Sequence, residues 1–235
     1  MSLAQFLADS APQTHFHIPL SQEALDELQI LQRKVEQMQQ QNNQRDSWQY
    51  CWGNGTYSSR KYYTLSFMSI TPPPPFNWIW KAKVTKKLKK FMWLIFKDRL
   101  NSRNLLRRRN YKIEGEDYKC VLCNLNLEET TYHLFFECPF STSCWNFVGI
   151  SWDHATSFFD TIQKAKMECQ HQFFMEVFII SAWEIWKQRN AQIFRGTQAS
   201  FQSWKTCFVD TVKLYLHRFK PPSSHSVSVW LNSLL

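Results

Sequence analysis

Four residues in the order Cys-x2-Cys-x9-His-x4-Cys constrain the fold of this chain more than any other feature. They are Cys120, Cys123, His133 and Cys138. Zinc is bound tetrahedrally by thiolates and imidazoles from closely spaced pairs, and this stretch supplies three sulfurs and one imidazole. Four protein ligands leave no open position for a substrate, so the pattern predicts one structural Zn²⁺.

The residues around this pattern predict how it folds. Asn124 follows the second cysteine and tolerates the left-handed backbone that such a turn often needs. The acidic residues 128–129 precede an apolar run, so we expect His133 on a short helix whose N-terminus they favour. Pro139 pushes Cys138 out of helical geometry, which lets that side chain turn back toward His133.

Other interpretations of the same cysteines remain open at this point. A Cys-x-x-Cys pair is also found in thioredoxin-like redox sites, although the βαβ context of those sites is missing here. Free cysteines are among the most buried residue types, so any of these can be plain core. Cys144 can replace Cys138 as the fourth ligand, but a gap of three to five residues after the histidine favours Cys138.

Composition predicts a mainly α-helical, intracellular protein. The 235 residues include only 5 glycines, whereas Leu, Lys, Gln and Phe are common. The sequence contains no signal peptide, so we expect its 7 cysteines to be reduced thiols. It also contains no apolar run long enough to span a membrane, so we expect no membrane partner. A small β-hairpin is expected where Trp48, Tyr50 and Trp52 alternate before Asn54 and Gly55.

Helical periodicity divides the chain into three parts. Residues 1–45 read as a linker and an amphipathic helix from Ser21 to about residue 41. Residues 46–150 hold the hairpin, the basic helices and the zinc pattern. Residues 151–235 form a C-terminal helical region, with one helix over 168–195 stopped by Gly196 and a last helix over 201–220 stopped by Pro221.

The positive charge lies just before the zinc pattern. Residues 81–119 hold 14 Lys and Arg against 4 Asp and Glu, whereas the rest of the chain holds 14 against 15. Such an asymmetry predicts a polyanionic partner, RNA or DNA, bound largely without regard to sequence. The expected phosphate-binding residues lie on two helices and are Lys83, Lys86, Lys87, Lys90, Arg99, Arg103, Arg107, Arg108 and Arg109.

Two further expectations concern this basic stretch. The aromatic residues Trp78, Trp80, Phe91 and Trp93 recur at helical spacing, which favours a core position over base stacking. The lysine run over 86–90 also matches a nuclear import signal, a pattern of low specificity.

The zinc pattern and its flanks resemble the reverse-transcriptase zinc-binding domain at the C-terminal end of plant non-LTR (LINE-type) retroelement polyproteins. The resemblance covers about residues 46–150. It joins the four ligands to an ordered set of anchors: Asp46, Trp48, Gly55, Tyr57, Ser58, Lys61, Tyr63, Trp78, Ile79, Trp80, Lys90, Phe91, Trp93, Arg99, Leu100, Leu105, Glu129, Thr130, Leu134, Phe135, Phe136, Pro139 and Trp145. A weaker similarity over 185–196 includes Arg189.

The resemblance implies a piece of a retroelement protein or a gene derived from one. Polymerase and RNase H chemistry need clustered carboxylates that hold two Mg²⁺ ions, and the sequence has no Asp-Asp pair. We therefore expect no enzymatic activity and no small-molecule substrate. The leading hypothesis is a zinc-stabilised nucleic-acid-binding module. The alternatives are a structural or protein-interaction remnant, in which zinc serves only folding, and a decaying transposon gene.

Overall fold

The computed structural model describes residues 19–36, 49–53, 55–113, 115, 117–169 and 171–235. These ranges are mainly helical, as the composition predicted. The ten α-helices within them are α1 (Gln22–Glu36), α2 (Ser59–Ser66), α3 (Pro74–Lys81), α4 (Lys86–Phe96), α5 (Arg103–Arg108), α6 (Pro139–Phe147), α7 (Phe158–Glu168), α8 (Phe174–Arg195), α9 (Phe201–Tyr215) and α10 (Pro221–Ser233). A π-helical turn, His133–Glu137, and a 3-10 turn, Leu216–Arg218, complete the set.

The described residues among 1–68 form the first of two compact units. The Ser21 hydroxyl accepts a hydrogen bond from the Ala24 N–H at 3.2 Å, which confirms Ser21 as the cap of α1. The predicted continuation of α1 beyond residue 36 lies outside the described residues. Helix α2 is capped by Ser58 and has no buried residue.

The predicted β-hairpin is wrong as far as the structure describes it. Trp48 and Asn54 lie outside the described residues. Between them the chain reverses at once, because the Gly53 N–H donates to the Tyr50 carbonyl at 2.8 Å and Gly53 has φ +93°. The rings of Tyr50 and Trp52 consequently stack, with centroids 4.9 Å apart. Their alternation reflects a tight aromatic turn, and the described part of the chain contains no strand.

Residues 69–235 form the second unit, and α8 is its central helix. Helices α4, α6 and α9 pack against α8, while α3 packs against α4 and α7. The core between them is aromatic and includes the buried side chains of Phe91, Trp145, Phe178 and Trp204. Each such side chain contributes about 1.5–3 kcal/mol by leaving water. This core supports the metal-binding segment between α5 and α6.

The long helix predicted over 168–195 corresponds to α8, which starts later than expected, and the separate helix α7 before it was not predicted. Helix α7 ends at Glu168, and α8 begins only at Phe174. The predicted stop is confirmed, because Gly196 caps α8 with φ 64°, a left-handed conformation that glycine adopts without strain.

The last predicted helix is also shorter than expected, and the sequence analysis missed one helix beyond it. Helix α9 ends at Tyr215 and continues as a 3-10 turn to Arg218. Pro221 then begins α10, because the first position of a helix needs no N–H donor and suits the fixed φ of proline. Pro221 therefore lies after the end of one helix and at the start of the next.

The aromatic residues expected in the core divide between two environments. Phe91 is buried, and Trp78 and Trp93 are half-buried against the core, as predicted. Trp80 is the exception, since 55 % of it is exposed. Within the described ranges, none of the helices is both long enough and apolar enough to cross a membrane.

Candidate metal centre

The ligand atoms of Cys120, Cys123, His133 and Cys138 all lie within 4.8 Å of one another. Cys120 Sγ is 3.9 Å from Cys138 Sγ, and Cys123 Sγ is 3.4 Å from His133 Nε2. A zinc tetrahedron with Zn–S bonds of about 2.3 Å has sulfur–sulfur edges of about 3.8 Å. The four side chains therefore fit one structural zinc ion, with Nε2 as the imidazole ligand.

The first two ligands come from a tight loop between α5 and the histidine. The Cys120 N–H donates to the Leu127 carbonyl at 2.8 Å, and the Glu129 N–H donates to the Tyr118 carbonyl at 2.9 Å. The loop reverses at Asn126, which has φ 56°. The left-handed conformation predicted at Asn124 is therefore wrong by two positions.

The other two ligands are joined by the π-helical turn. The Thr130 hydroxyl accepts the His133 N–H at 2.9 Å and starts the helical segment, as expected for a histidine on a short helix. The Cys138 N–H donates to the His133 carbonyl at 2.8 Å, five residues back. Cys138 then leaves helical geometry at ψ 128°, and Pro139 begins α6. The predicted helix end is confirmed. The wide π-helical turn brings the Cys138 thiol close to the His133 imidazole.

Cys144 does not belong to the ligand cluster. It is fully buried on α6 among core residues. Burial raises the pKa of its thiol. The geometry selects Cys138 as the fourth ligand.

One of the three cluster thiols, that of Cys138, is shifted toward the ionised form that a metal requires, whereas the pKa values of Cys120 and Cys123 are raised. A hydrogen bond from the Cys120 thiol lowers the pKa of Cys138 to about 6, against the opposing effect of burial. The same hydrogen bond raises the pKa of Cys120. A pair that shares its proton in this way already has thiolate character at one of its two sulfurs.

His133 has a second ring nitrogen that points to Glu137. Nδ1 is buried without a hydrogen-bond partner, and Glu137 Oε2 lies 3.8 Å away. Histidines that bind zinc usually donate their other N–H to a carboxylate or carbonyl, which fixes the ring. Glu137 is the carboxylate in place for that role.

A buried ion pair connects the metal loop to α8. The guanidinium Nε of Arg189 lies 3.1 and 3.2 Å from the two carboxylate oxygens of Glu129, and both residues are almost fully buried. The same carboxylate also accepts a hydrogen bond from the backbone N–H of Arg103 at 2.9 Å. Sequence reasoning missed this pair. The only signal was that both residues carry the family resemblance, in segments sixty positions apart.

The three arginines Arg103, Arg107 and Arg108, called here the arginine cluster, each contact a carboxylate. Arg103 lies 3.4 Å from an Asp117 oxygen and donates to the Asp117 and Lys119 carbonyls. Arg107 lies 2.8 Å from Glu128, and Arg108 pairs with Asp98. Arg103 and Arg107 thus attach α5 to the metal loop.

The lysine cluster has no such partners among the residues that the structure describes. It consists of Lys83, Lys86, Lys87, Lys89 and Lys90. In the described ranges no carboxylate oxygen lies within 4 Å of any of these ammonium groups, nor of the exposed Arg99 and Arg109. Lys87 lies over the Trp183 ring at 5.0 Å, and Lys89 donates to the Trp80 carbonyl at 2.7 Å. Most of this charge faces solvent.

Comparison with protein families agrees with the geometry. Residues 57–145, less than half of the chain, match the family described as zinc-binding in reverse transcriptase. The match includes all four metal ligands, and no polymerase catalytic domain is matched. No curated protein and no solved structure matches the chain significantly. Residues 57–145 are therefore a reverse-transcriptase zinc-binding domain.

Proposed function

We propose that this chain is a non-catalytic, zinc-stabilised module that binds the backbone of RNA or DNA. We further propose that it derives from the C-terminal part of a plant LINE-type retroelement polyprotein. The family match and the ordered anchors named above support that origin. The observation that carries the binding function is the lysine cluster, which concentrates charge with no carboxylate partner in the described part of the chain.

In this proposal the zinc site stabilises the fold, and the lysine cluster contacts the nucleic acid. Four protein ligands give zinc a structural role, and the metal holds the loop that α5 and α8 contact. Helix α4 buries Leu88, Phe91 and Met92 in the core and leaves its lysines on the outside. Ammonium groups held on a rigid helix contact phosphates without reading sequence.

Salt dependence of binding is the direct test. If about six phosphates are neutralised, the slope of log affinity against log salt is near −5 for duplex DNA, and somewhat shallower for a single strand. Fluorescence anisotropy with labelled duplex DNA, single-stranded DNA and RNA gives these slopes. Binding that is independent of salt, or absent with all three probes, contradicts the proposal.

A protein-interaction role is the second candidate, and α2 is the observation that favours it. The helix has no buried residue, and Tyr62, Tyr63 and the following Phe67 are each more than two fifths exposed. Under this alternative, substituting these aromatics with Ser abolishes partner capture, while the salt-dependent affinity for nucleic acid is undetectable in the unsubstituted protein as well.

A further inference from the structure

An open pocket of about 680 Å³ lies where the end of α3, the connection to α4 and the 3-10 turn after α9 meet. Four of its lining residues are cationic, namely Lys81, Lys83, Lys89 and Arg218. In the part of the chain that the structure describes, no carboxylate oxygen lies within 4 Å of these four charges. Arg218 comes from a segment far along the chain, so the fold assembles the pocket.

Hydrogen bonds and ring contacts hold these cations in place. The Tyr215 hydroxyl lies 3.0 Å from the Thr85 hydroxyl, which joins the end of α9 to the start of α4. The Arg218 guanidinium lies over the Tyr215 ring at 5.6 Å. Lys89 donates one of its three N–H groups to the Trp80 carbonyl at 2.7 Å, which leaves two for a ligand.

The charges are close enough to affect one another. Burial first, and then the charge of Lys83, lower the pKa of Lys89, with a further contribution from Arg218. Glu176 is the acidic group that faces them, and it raises the pKa of Lys89 by less. The carboxylate of Glu176 is buried and accepts the Lys83 backbone N–H at 2.6 Å, so it neutralises only part of the four positive charges.

Trp80 indicates which anion the pocket suits. Trp80 is one of the residues that line the pocket, and 55 % of it is exposed, although most large aromatic residues nearby are packed in the core. Exposed aromatic rings next to a positively charged groove stack on unpaired bases of single-stranded nucleic acids. An acidic peptide would pair with the cations but would leave the Trp80 ring without a stacked base.

We propose that this pocket binds one phosphodiester group of single-stranded RNA or DNA, with the adjacent base stacked on Trp80. The inference rests on the proposed function and adds a defined contact to it. Arg218 lies outside residues 57–145, so the family match does not assign it. The C-terminal region then takes part directly in binding, together with α4.

Two probes and two matched pairs of variants test this contact. The probes are a labelled oligothymidylate and an abasic oligomer of the same length, which keeps the phosphates and lacks the bases. Arg218→Gln is compared with Arg195→Gln, and Trp80→Ala with Phe194→Ala. Arg195 and Phe194 are exposed at the far end of α8, and Arg195 lies about 28 Å along the helix from Glu176.

We expect Arg218→Gln to weaken binding of both probes several-fold and to reduce the salt slope by about 0.7, while Arg195→Gln changes neither. Trp80→Ala weakens oligothymidylate binding about five- to hundred-fold and leaves abasic binding within about two-fold. Phe194→Ala has no such effect. Thermal melting and zinc content are measured for every variant, because a change in either marks a folding defect.

Each possible failure has a distinct meaning. If the unsubstituted protein binds neither probe, and binds neither duplex DNA nor RNA, at low salt, the proposed function itself fails. If it binds duplex DNA alone, nucleic-acid binding stands and the single-strand contact is overturned. If it binds but Arg218→Gln behaves like Arg195→Gln, nucleic-acid binding stands and the phosphate contact is overturned. If Trp80→Ala weakens both probes equally, or neither, base stacking on Trp80 is overturned.

Discussion

The arginine cluster and the lysine cluster lie in one basic stretch, yet their charges face different partners. Arg103, Arg107 and Arg108 contact carboxylates, and two of these belong to the metal loop or its approach. The lysines of α4 and its approach have no carboxylate within 4 Å in the described ranges. A charge count from sequence therefore overstates the surface that is free to bind a polyanion.

The side-chain chemistry accounts for this division. A guanidinium is planar and weakly hydrated, and it matches a carboxylate with two parallel donors. An ammonium is a compact, strongly hydrated charge that stays at the surface on a flexible stem. The arginines are suited to hold the metal loop on α5, and the lysines are suited to contact phosphates.

The largest effect expected concerns the loop that the arginine cluster holds. Cys120→Ser with Cys123→Ser removes two ligands, and structural zinc contributes on the order of 10 kcal/mol or more in finger peptides. That is comparable to the net stability of a whole domain. We expect loss of stoichiometric zinc and loss of amide protection over residues 103–138, measured by elemental analysis and hydrogen exchange.

Cys144→Ala is the control for that experiment. Cys144 is buried outside the ligand cluster, so this variant should retain one zinc per chain and lose only packing energy. A double serine variant that keeps its zinc, or a Cys144 variant that loses it, contradicts the assigned ligand set.

The next effect concerns Arg189, which is almost fully buried. Arg189→Met leaves the Glu129 carboxylate buried without its charged partner, which costs about 3–5 kcal/mol. Arg195→Met removes an exposed arginine from the same helix and should change the free energy of unfolding by about 0.5 kcal/mol or less. Urea unfolding of the zinc-loaded protein compares them, and equal losses refute the role of the ion pair.

The sequence predicted the metal centre far better than the support around it. The ligands are adjacent in the chain, so spacing alone restricts their geometry, and Pro139 correctly marked the end of the helical turn. The partners of Glu129 and Arg103 are long-range, and periodicity carries no information about contacts sixty residues apart. The same limit hid the pocket, because Arg218 reaches Lys83 and Lys89 only through the packing of α9.

Two errors in secondary structure have local physical causes. Alternating Tyr50 and Trp52 match a strand, but ring stacking and the positive φ of Gly53 favour a tight turn. Pro221 matches a helix stop, but the same residue also suits the first position of the next helix. Each signal was compatible with two structures, and tertiary packing selected between them.

Measuring nucleic-acid binding by charge variants is the most direct test of the difference between the lysine cluster and the arginine cluster. Lys86, Lys87 and Lys90 are exposed, so changing all three to Gln should reduce the salt slope for a single strand by about 2 and weaken binding more than ten-fold at low salt. Arg107→Gln with Arg108→Gln should weaken binding far less, because both guanidiniums are already engaged by carboxylates. If the two variants lose the same binding affinity per charge removed, the lysine and arginine clusters do not differ in the way proposed.

A smaller effect depends on pH and on Glu176, the carboxylate beside the lysine cluster. Burial raises the pKa of Glu176, against the opposing influence of the Lys83 N–H and the charges of Lys83 and Lys89. The folded state therefore holds this proton more tightly than the unfolded state. The resulting stability is complete below the unfolded pKa of about 4.3 and is lost as pH rises through the folded value.

Glu176→Gln keeps the acceptor for the Lys83 N–H and removes the ionisation. The stability of this variant relative to the unsubstituted protein should therefore increase as pH rises above about 4.3 and through the folded pKa of Glu176. Urea unfolding with saturating zinc at each pH measures the difference. A difference that is constant or decreases with pH shows that the carboxylate is not destabilised by burial.

The smallest effect expected is the coupling between Arg107 and Glu128. Their charged atoms are 2.8 Å apart, but more than half of the Arg107 side chain is exposed, so a double-mutant cycle should give only about 0.2–1 kcal/mol, decreasing with salt. The coupling energy matters because it determines how readily a phosphate can replace Glu128 as the partner of Arg107. Coupling within this range leaves Arg107 mainly structural and the lysine cluster as the binding surface. No measurable coupling means that Arg107 is free to bind phosphate, and the two clusters then differ less than their contacts suggest.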